Sequence, residues 1–175
     1  MLIHADVSIP FPRPLVYFTY RDQLMDLLPY IPNIRSVEVK SRYEENQHVY
    51  SVNLWHGGGN MPLTLKAVIG DALVSWIEYN TWNESDFTLE WRIETKAFTE
   101  AIFCAGKNHF LEENGKTIIQ TRGELKIDPK KINGLSAPLK GKVAHLVENF
   151  LGKKIVPNLI QMGKGVHDYL EKKVN

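Results

Sequence analysis

Apolar residues recur at steps of three and four in the last part of the chain, from about Gly141 to Val174. This spacing is typical of one face of an α-helix. The stripe consists of Val143, Leu146, Val147, Phe150, Leu151, Ile155, Leu159, Met162, Val166, Tyr169 and Leu170. At ~1.5 Å per residue such a helix is roughly 50 Å long, so it needs a wide apolar partner.

Most of the preceding chain alternates between apolar and polar positions, which is typical of β-strands with one buried face. Prolines at positions 10, 12 and 14 end the first strand, and two short helices, 14–21 and 22–28, are predicted after it. Asn114-Gly115 is a strong hairpin signal between the last two strands. The predicted strands are residues 2–9, 34–43, 48–55, 73–82, 87–95, 100–112 and 117–127.

This order (strand, two helices, six strands, helix) predicts a single α+β domain over residues 1–175. Strands joined by short turns favour an antiparallel sheet of about seven strands. The sheet must curve to wrap the long C-terminal helix, because its apolar face is too broad for flat packing. We expect a ligand cavity between the sheet and the helix.

Three features depart from this regular pattern. Gly57-Gly58-Gly59 and the apolar segment 61–70 indicate either a mobile lid over the cavity or an irregular packed connection. Pro157 predicts a kink or break in the last helix between about Gly152 and Pro157. Gly163 leaves space on the inner helix face, and we expect that space to belong to the cavity.

Composition is ordinary for a globular protein, with 43% hydrophobic and 23% charged residues among 175. No apolar run approaches the ~20 residues that cross a bilayer. The first residues lack the basic region of a signal peptide. The single Cys104 excludes an internal disulfide, so a cytoplasmic location is expected.

Charge is unevenly distributed, although the net charge of +1 argues against a general nucleic-acid binder. The segment from Pro129 to the end contains nine lysines and three acidic residues. This surplus indicates a solvated helix face, and it leaves open a transient contact with a membrane surface or an acidic partner. The oligomeric state is not determined by the sequence.

Motifs for catalysis or cofactor binding are missing. The chain has no glycine-rich nucleotide signature, no Gly-x-Ser-x-Gly elbow and no metal-ligand spacing among its six histidines. Cys104, in mid-strand, is expected to be a buried small hydrophobe. The sequence therefore predicts no metal, no cofactor and no assured catalytic residue.

Several segments together resemble the START/Bet v 1-like superfamily, also called SRPBCC or polyketide cyclase/dehydrase-like. They are VSIPFPRPLVYFTYRDQLMDLLPYIPNIRSVEV, TLEWRIE, NGKTIIQTRGELKID and the terminal helix. The resemblance covers essentially the whole chain, apart from the 57–70 insertion and the proline in the last helix. It implies a helix-grip fold with an internal hydrophobic cavity for lipids, polyketides, quinones or similar molecules. It implies no shared catalytic motif.

The expected cavity lining combines aromatic and apolar residues from the strands and the last helix. The register of strand 73–82 stays open: one face carries Ile77 and Tyr79, the other Trp76, Glu78, Asn80 and Trp82. If Glu78 faces inward, burial raises its pKa and makes it a candidate general acid or base. In the other register Glu78 is exposed and faces Arg92 or a lysine. The candidate ligand-binding residues are Trp55, Tyr79, Phe87, Leu89, Trp91, Phe103, Ile119, Leu125, Leu159, Met162, Gly163 and Val166.

Three functions are compatible with the sequence. The leading hypothesis is a non-enzymatic carrier of a hydrophobic small molecule. The first alternative is a polyketide cyclase or aromatase-like enzyme, which converging ionisable groups in the cavity would favour. The second is a protein-interaction module, which a cavity filled by side chains would favour.

Overall fold

The computed structural model describes residues 1–175 and forms one seven-stranded sheet in which every neighbouring pair is antiparallel. The spatial order is β1-β7-β6-β5-β4-β3-β2, so only the first strand pairs out of sequence. The strands are β1 (Leu2–Ile9), β2 (Ile34–Glu45), β3 (His48–Gly57), β4 (Ser75–Asn83), β5 (Thr88–Thr95), β6 (Ile102–Glu113) and β7 (Lys116–Ile127).

Four α-helices accompany the sheet: α1 (Arg13–Asp22), α2 (Leu24–Leu27), α3 (Leu63–Ile69) and α4 (Ala137–Val174). Short 3-10 turns follow α2 and β7. The predicted helix-grip architecture is confirmed, with α4 packed chiefly on β1 and β7. No helix is long and apolar enough to pass through a lipid bilayer.

Two hairpin turns set the register of their strand pairs by backbone conformation. The predicted turn at Asn114-Gly115 is present, with φ of 51° and 74°. The β2–β3 turn is centred on Asn46-Gln47, with φ of 50° and 64°, because β2 continues through Glu45. Positive φ at both central residues matches the twist of the flanking strands.

The segment after the glycine run contains a short helix that the periodicity did not reveal. Residues 63–69 form α3, which starts after Pro62 and ends at Gly70 with φ of 58°. Seven residues are too few for a helical period to stand out. Leu65 is fully buried in the core while Leu63 is 83% exposed, so α3 is anchored by one face. The lid hypothesis stays a prediction.

Helix α4 does not break at Pro157. It is continuous over 38 residues and contains the proline in its interior. Proline removes one backbone hydrogen bond, the one to the carbonyl of Lys153, but the turns on both sides keep theirs. Burial of Phe150 and Leu151 before the proline, and of Met162 after it, holds both parts against the rest of the protein.

The space beside Gly163 is not part of the cavity, contrary to our expectation. A Cβ added there would lie 2.9 Å from Cγ1 of Val7 on β1. The glycine therefore lets α4 approach the sheet edge closely. Gly165 does the same against Tyr30 and Ile31, where an added Cβ would lie 3.1 Å from Cγ1 of Ile31.

This close approach gives a test with a matched control. We expect Gly163→Ala to lower the free energy of unfolding by about 1–3 kcal/mol, because the new methyl group overpacks against Val7. Gly141→Ala, on the exposed side of the same helix with nothing within 4 Å of its added Cβ, should raise it by up to ~1 kcal/mol. Urea unfolding measures both. Equal effects of the two substitutions would contradict the close packing at Gly163.

Candidate ligand-binding cavity

A cavity of about 270 Å³ lies between the concave face of the sheet and the middle of α4. Its sheet wall follows the period of two, because alternate residues of each strand point to the same face. The strand residues at the wall are Ile34, Val39 and Arg42 of β2, Val49, Ser51, Asn53, Trp55 and Gly57 of β3, Trp76, Glu78, Asn80 and Trp82 of β4, Leu89, Ile93 and Thr95 of β5, and Ile102 and Cys104 of β6.

Helix α4 supplies the opposite wall with residues one turn apart. They are Phe150, Leu151, Lys154, Ile155, Asn158, Leu159 and Met162. These positions belong to the apolar stripe that defined the helix in the sequence, apart from Lys154 and Asn158. The same stripe therefore covers the sheet and lines the cavity.

An aromatic cluster closes the cavity beneath α1. Tyr17 contacts Trp82 and Phe110 edge-to-face, with ring centroids 5.3 and 5.0 Å apart. Tyr20, on the next turn, contacts the same two rings at 5.6 and 5.7 Å. The Tyr17 hydroxyl donates to the carbonyl of Thr88 at 3.1 Å, which ties α1 to the start of β5. This end of the cavity is packed.

The other end, between α2, β2 and α4, carries charged and exposed apolar side chains. Met25 and Val39 line the cavity and are 56% and 45% exposed. Asp22 accepts hydrogen bonds from Arg21 at 2.8 Å and Arg42 at 2.5 Å. Burial alone would raise the pKa of Asp22, but these two guanidinium groups lower it. This end is the candidate entrance.

Glu78 stands inside the cavity at the centre of a polar cluster. Its Oε2 accepts a hydrogen bond from Nε1 of Trp55 at 2.8 Å and one from Nδ2 of Asn80 at 3.0 Å. Asn53 lies directly opposite Glu78 on β3. The indole of Trp55 stacks on that of Trp76, with ring centroids 6.1 Å apart and planes 7° from parallel.

Desolvation by burial raises the pKa of Glu78, and the hydrogen bonds from Asn80, Trp55 and Asn53 only partly oppose it. No cationic side chain contributes to this shift. Burial also raises the pKa of Tyr20, and the nearby charge of Glu78 adds to the effect. A carboxyl group in this setting favours its neutral form, which suits it to donate a proton or a hydrogen bond.

The structure decides the register that the sequence left open. Trp76, Glu78, Asn80 and Trp82 face the cavity, so Glu78 points inward and is not on the exposed face with Arg92. Tyr79 faces the outer surface, where the Arg92 guanidinium lies 4.2 Å from its ring centroid. The prediction that Tyr79 lines the cavity is therefore wrong.

Four of the other candidate residues stand at the wall: Trp55, Leu89, Leu159 and Met162. Ile119, Leu125 and Val166 are buried elsewhere in the core. Phe103 is 46% exposed, because it shares the outward face of β6. Phe87 is in the turn before β5, with φ of 51°, and packs on Tyr17.

Trp91 points inward but is held below the cavity floor. Its indole lies over Gly106 and Gly123, which pair with each other on β6 and β7. Its Nε1 donates to Oδ1 of Asn108 at 3.0 Å. Glycines in the middle of two paired strands are a sequence signal of such a close approach. Gly106 and Gly123 are therefore the sequence signal that could have predicted the close packing of Trp91 on the sheet.

The remaining wall residues were missed because they had no distinctive motif. Tyr20, Val49, Ser51 and Ile93 are single positions that only strand parity and the fold bring together. Cys104 is buried at the wall, as expected for a small hydrophobe, and burial raises its pKa to about 12. Its thiol is therefore protonated and weakly nucleophilic at neutral pH.

One group of potential metal ligands lies outside the cavity. Ligand atoms of His167, Asp168 and Glu171 lie within 4.8 Å of one another near the end of α4. They follow each other at helical spacing, and the two carboxylates are exposed. Such groups are common on solvated helices.

The raised pKa of Glu78 predicts a pH dependence of stability. The contribution of its neutral form is fully present below the pKa of an unfolded glutamate, about 4.3, and is lost as pH rises through the higher folded pKa. Glu78→Gln removes this titration. We therefore expect wild-type stability to fall relative to Glu78→Gln as pH rises between these two pKa values, with a slope of up to about 1.4 kcal/mol per pH unit.

Urea unfolding across a pH series measures this difference. Glu90→Gln is the matched control, since Glu90 is an exposed carboxylate 3.0 Å from Nζ of Lys107. This variant gives the baseline for removing a carboxylate at the surface. Parallel curves for wild type and Glu78→Gln would mean that burial leaves the pKa of Glu78 unchanged.

Comparison with known proteins places this geometry in a structural context. No family model and no curated protein sequence matches the chain. A protein from Thermus thermophilus matches with a TM-score of 0.69 at 19% identity, over 100% of both chains. The Zhui aromatase/cyclase of Streptomyces sp. R1128 matches with a TM-score of 0.64 at 14% identity, over 100% of this chain and 96% of the other.

A point mutant of norcoclaurine synthase from Thalictrum flavum, solved with a transition-state analogue, matches with a TM-score of 0.63 at 12% identity. The match covers 99% of this chain and 96% of that protein. At such identities the likeness concerns the fold alone. The chain therefore shares a helix-grip fold with these proteins, the fold that the resemblance to the START/Bet v 1-like superfamily implied.

Proposed function

We propose that the protein binds a hydrophobic small molecule in the cavity between the sheet and α4, as a single ligand-binding domain. The observation that carries this proposal is an unfilled cavity with mostly apolar walls and a small polar cluster at Glu78. Ligand sites typically combine apolar walls with a few polar groups that orient the ligand.

The size and walls of the cavity favour a ligand with ring systems. An apolar cavity of ~150 Å³ accepts benzene, so about 270 Å³ suits a molecule of roughly two fused rings. The stacked indoles of Trp55 and Trp76 offer a flat aromatic surface next to Glu78. Lipids, polyketides and quinones are the ligand classes that the fold resemblance suggests.

An enzyme using the same cavity is the second candidate. Glu78 and Tyr20 both line the cavity. Burial raises the pKa of each, and the charge of Glu78 also raises that of Tyr20. Such a pair suits proton transfer in a cyclisation or aromatisation. An interaction module with a filled cavity has less support, because the space between the sheet and α4 is open.

Filling the cavity tests the binding proposal. We expect Leu159→Trp to weaken binding of an apolar fluorescent probe at least tenfold, or about 1.4 kcal/mol, because the indole takes the ligand's place. Leu111→Trp is the control, since Leu111 is exposed on β6 and lies away from the cavity wall. Fluorescence titration gives both affinities.

Native mass spectrometry of protein purified from its own host identifies any co-purifying ligand. A bound small molecule that is lost in Leu159→Trp and kept in Leu111→Trp would support the proposal. Failure of the wild type to bind any lipid, quinone or aromatic probe would refute it.

A further inference from the structure

The two carboxyl oxygens of Glu78 have different surroundings. Oε2 accepts both cluster hydrogen bonds, from Trp55 and Asn80. Oε1 takes part in neither, and it is not among the side-chain oxygens that are occluded and unpaired. Since Glu78 lines the cavity, Oε1 is the oxygen that a ligand can reach.

The cluster holds more acceptors than donors. Oδ1 of Asn53 and Oδ1 of Asn80 are buried without a hydrogen-bond partner. No positive charge acts on Glu78, and Nζ of Lys154, the cation that α4 contributes to the wall, lies beside Gly59 instead. An ionised Glu78 would add another unpaired acceptor to this set, whereas a protonated one supplies a donor.

A neutral carboxylic acid matches this arrangement. Its carbonyl oxygen accepts hydrogen bonds, and its hydroxyl donates one. With Oε2 occupied by two N–H groups, the hydroxyl belongs on Oε1, on the cavity side. An ionised carboxylate would instead leave a charged oxygen towards apolar walls, with the amide of Asn53 as its one further donor and no cation nearby, which is costly.

We propose that Glu78 is a neutral acid whose Oε1 hydroxyl donates a hydrogen bond to a carbonyl oxygen of the ligand. The inference rests on the proposed function and narrows the ligand class to apolar ring molecules that carry a ketone or quinone oxygen. The stacked indoles of Trp55 and Trp76 lie beside this hydroxyl, where a planar conjugated carbonyl packs well.

A matched pair of ligands tests the donor. 2-Acetylnaphthalene carries a carbonyl oxygen, and 2-isopropylnaphthalene has nearly the same shape without it. We expect the wild type to bind the ketone about tenfold more tightly than the hydrocarbon, by calorimetry or competition with a fluorescent probe. Infrared spectroscopy of the ketone labelled with carbon-13 at the carbonyl should show a lowered stretching frequency in the complex.

Three variants separate the donor from general packing. Glu78→Gln should keep the preference for the ketone, because its oxygen accepts from Trp55 and Asn80 and its N–H₂ takes the place of the hydroxyl. Glu78→Leu should lose both the preference and the infrared shift. Glu90→Gln, at the exposed carboxylate of the outer face, should behave as the wild type. Circular dichroism checks that each variant folds.

If Glu78→Leu does not fold, the wild-type ligand pair and the infrared shift still decide the question. Equal affinity for ketone and hydrocarbon, with an unshifted carbonyl band, would overturn the donor role and leave the proposed function standing. A preference for 2-naphthol over 2-methoxynaphthalene that Glu78→Gln abolishes would show an ionised acceptor, and would also overturn it. Failure of all the naphthalenes to bind would contradict the proposed function itself.

Discussion

The packing of one long helix on a curved antiparallel sheet is the constraint on which the rest of this structure depends. The concave face of seven strands is too wide for a helix to cover evenly. Towards its C-terminal end, α4 is drawn close to β1 and to the turn after α2, because Gly163 and Gly165 present no side chain there. In the middle of the helix, Phe150, Leu159 and Met162 meet the sheet across open space. The cavity follows from this uneven fit.

Burial of Glu78 in that cavity runs against the usual preference of carboxyl groups for water. Two N–H donors, from Trp55 and Asn80, offset part of the cost on one oxygen. Asn53 adds a smaller stabilisation of the charged form, but no cationic side chain opposes the burial, and two neighbouring amide oxygens are also unpaired. Such imbalance is unfavourable for folding alone, and it is concentrated at the wall of the cavity.

Function in this fold is assembled from positions that are far apart in the chain. Glu78 and Asn80 come from β4, Asn53 and Trp55 from β3, and the opposite wall from a helix some 70 residues later. Residues so far apart in the chain form no local motif, so no catalytic or metal-binding signature in the sequence includes Glu78. The informative signals are weaker ones: the alternation along each strand, and paired glycines at 106 and 123 that accommodate Trp91.

The sequence by itself determined the strands, the last helix, the Asn114-Gly115 hairpin and the helix-grip architecture, because each depends on local periodicity or on turn chemistry. Only the tertiary structure decided which face of β4 is inside, since a shift of one residue exchanges Tyr79 for Glu78 and local pattern fits both. It also decided that α4 continues through Pro157, because packing on both sides outweighs one lost hydrogen bond. The tertiary structure also shows that Val7 occupies the space beside Gly163. Periodicity predicts which residues share a face of a strand or helix. Whether those residues fill the core or line a cavity depends on the element that packs against that face.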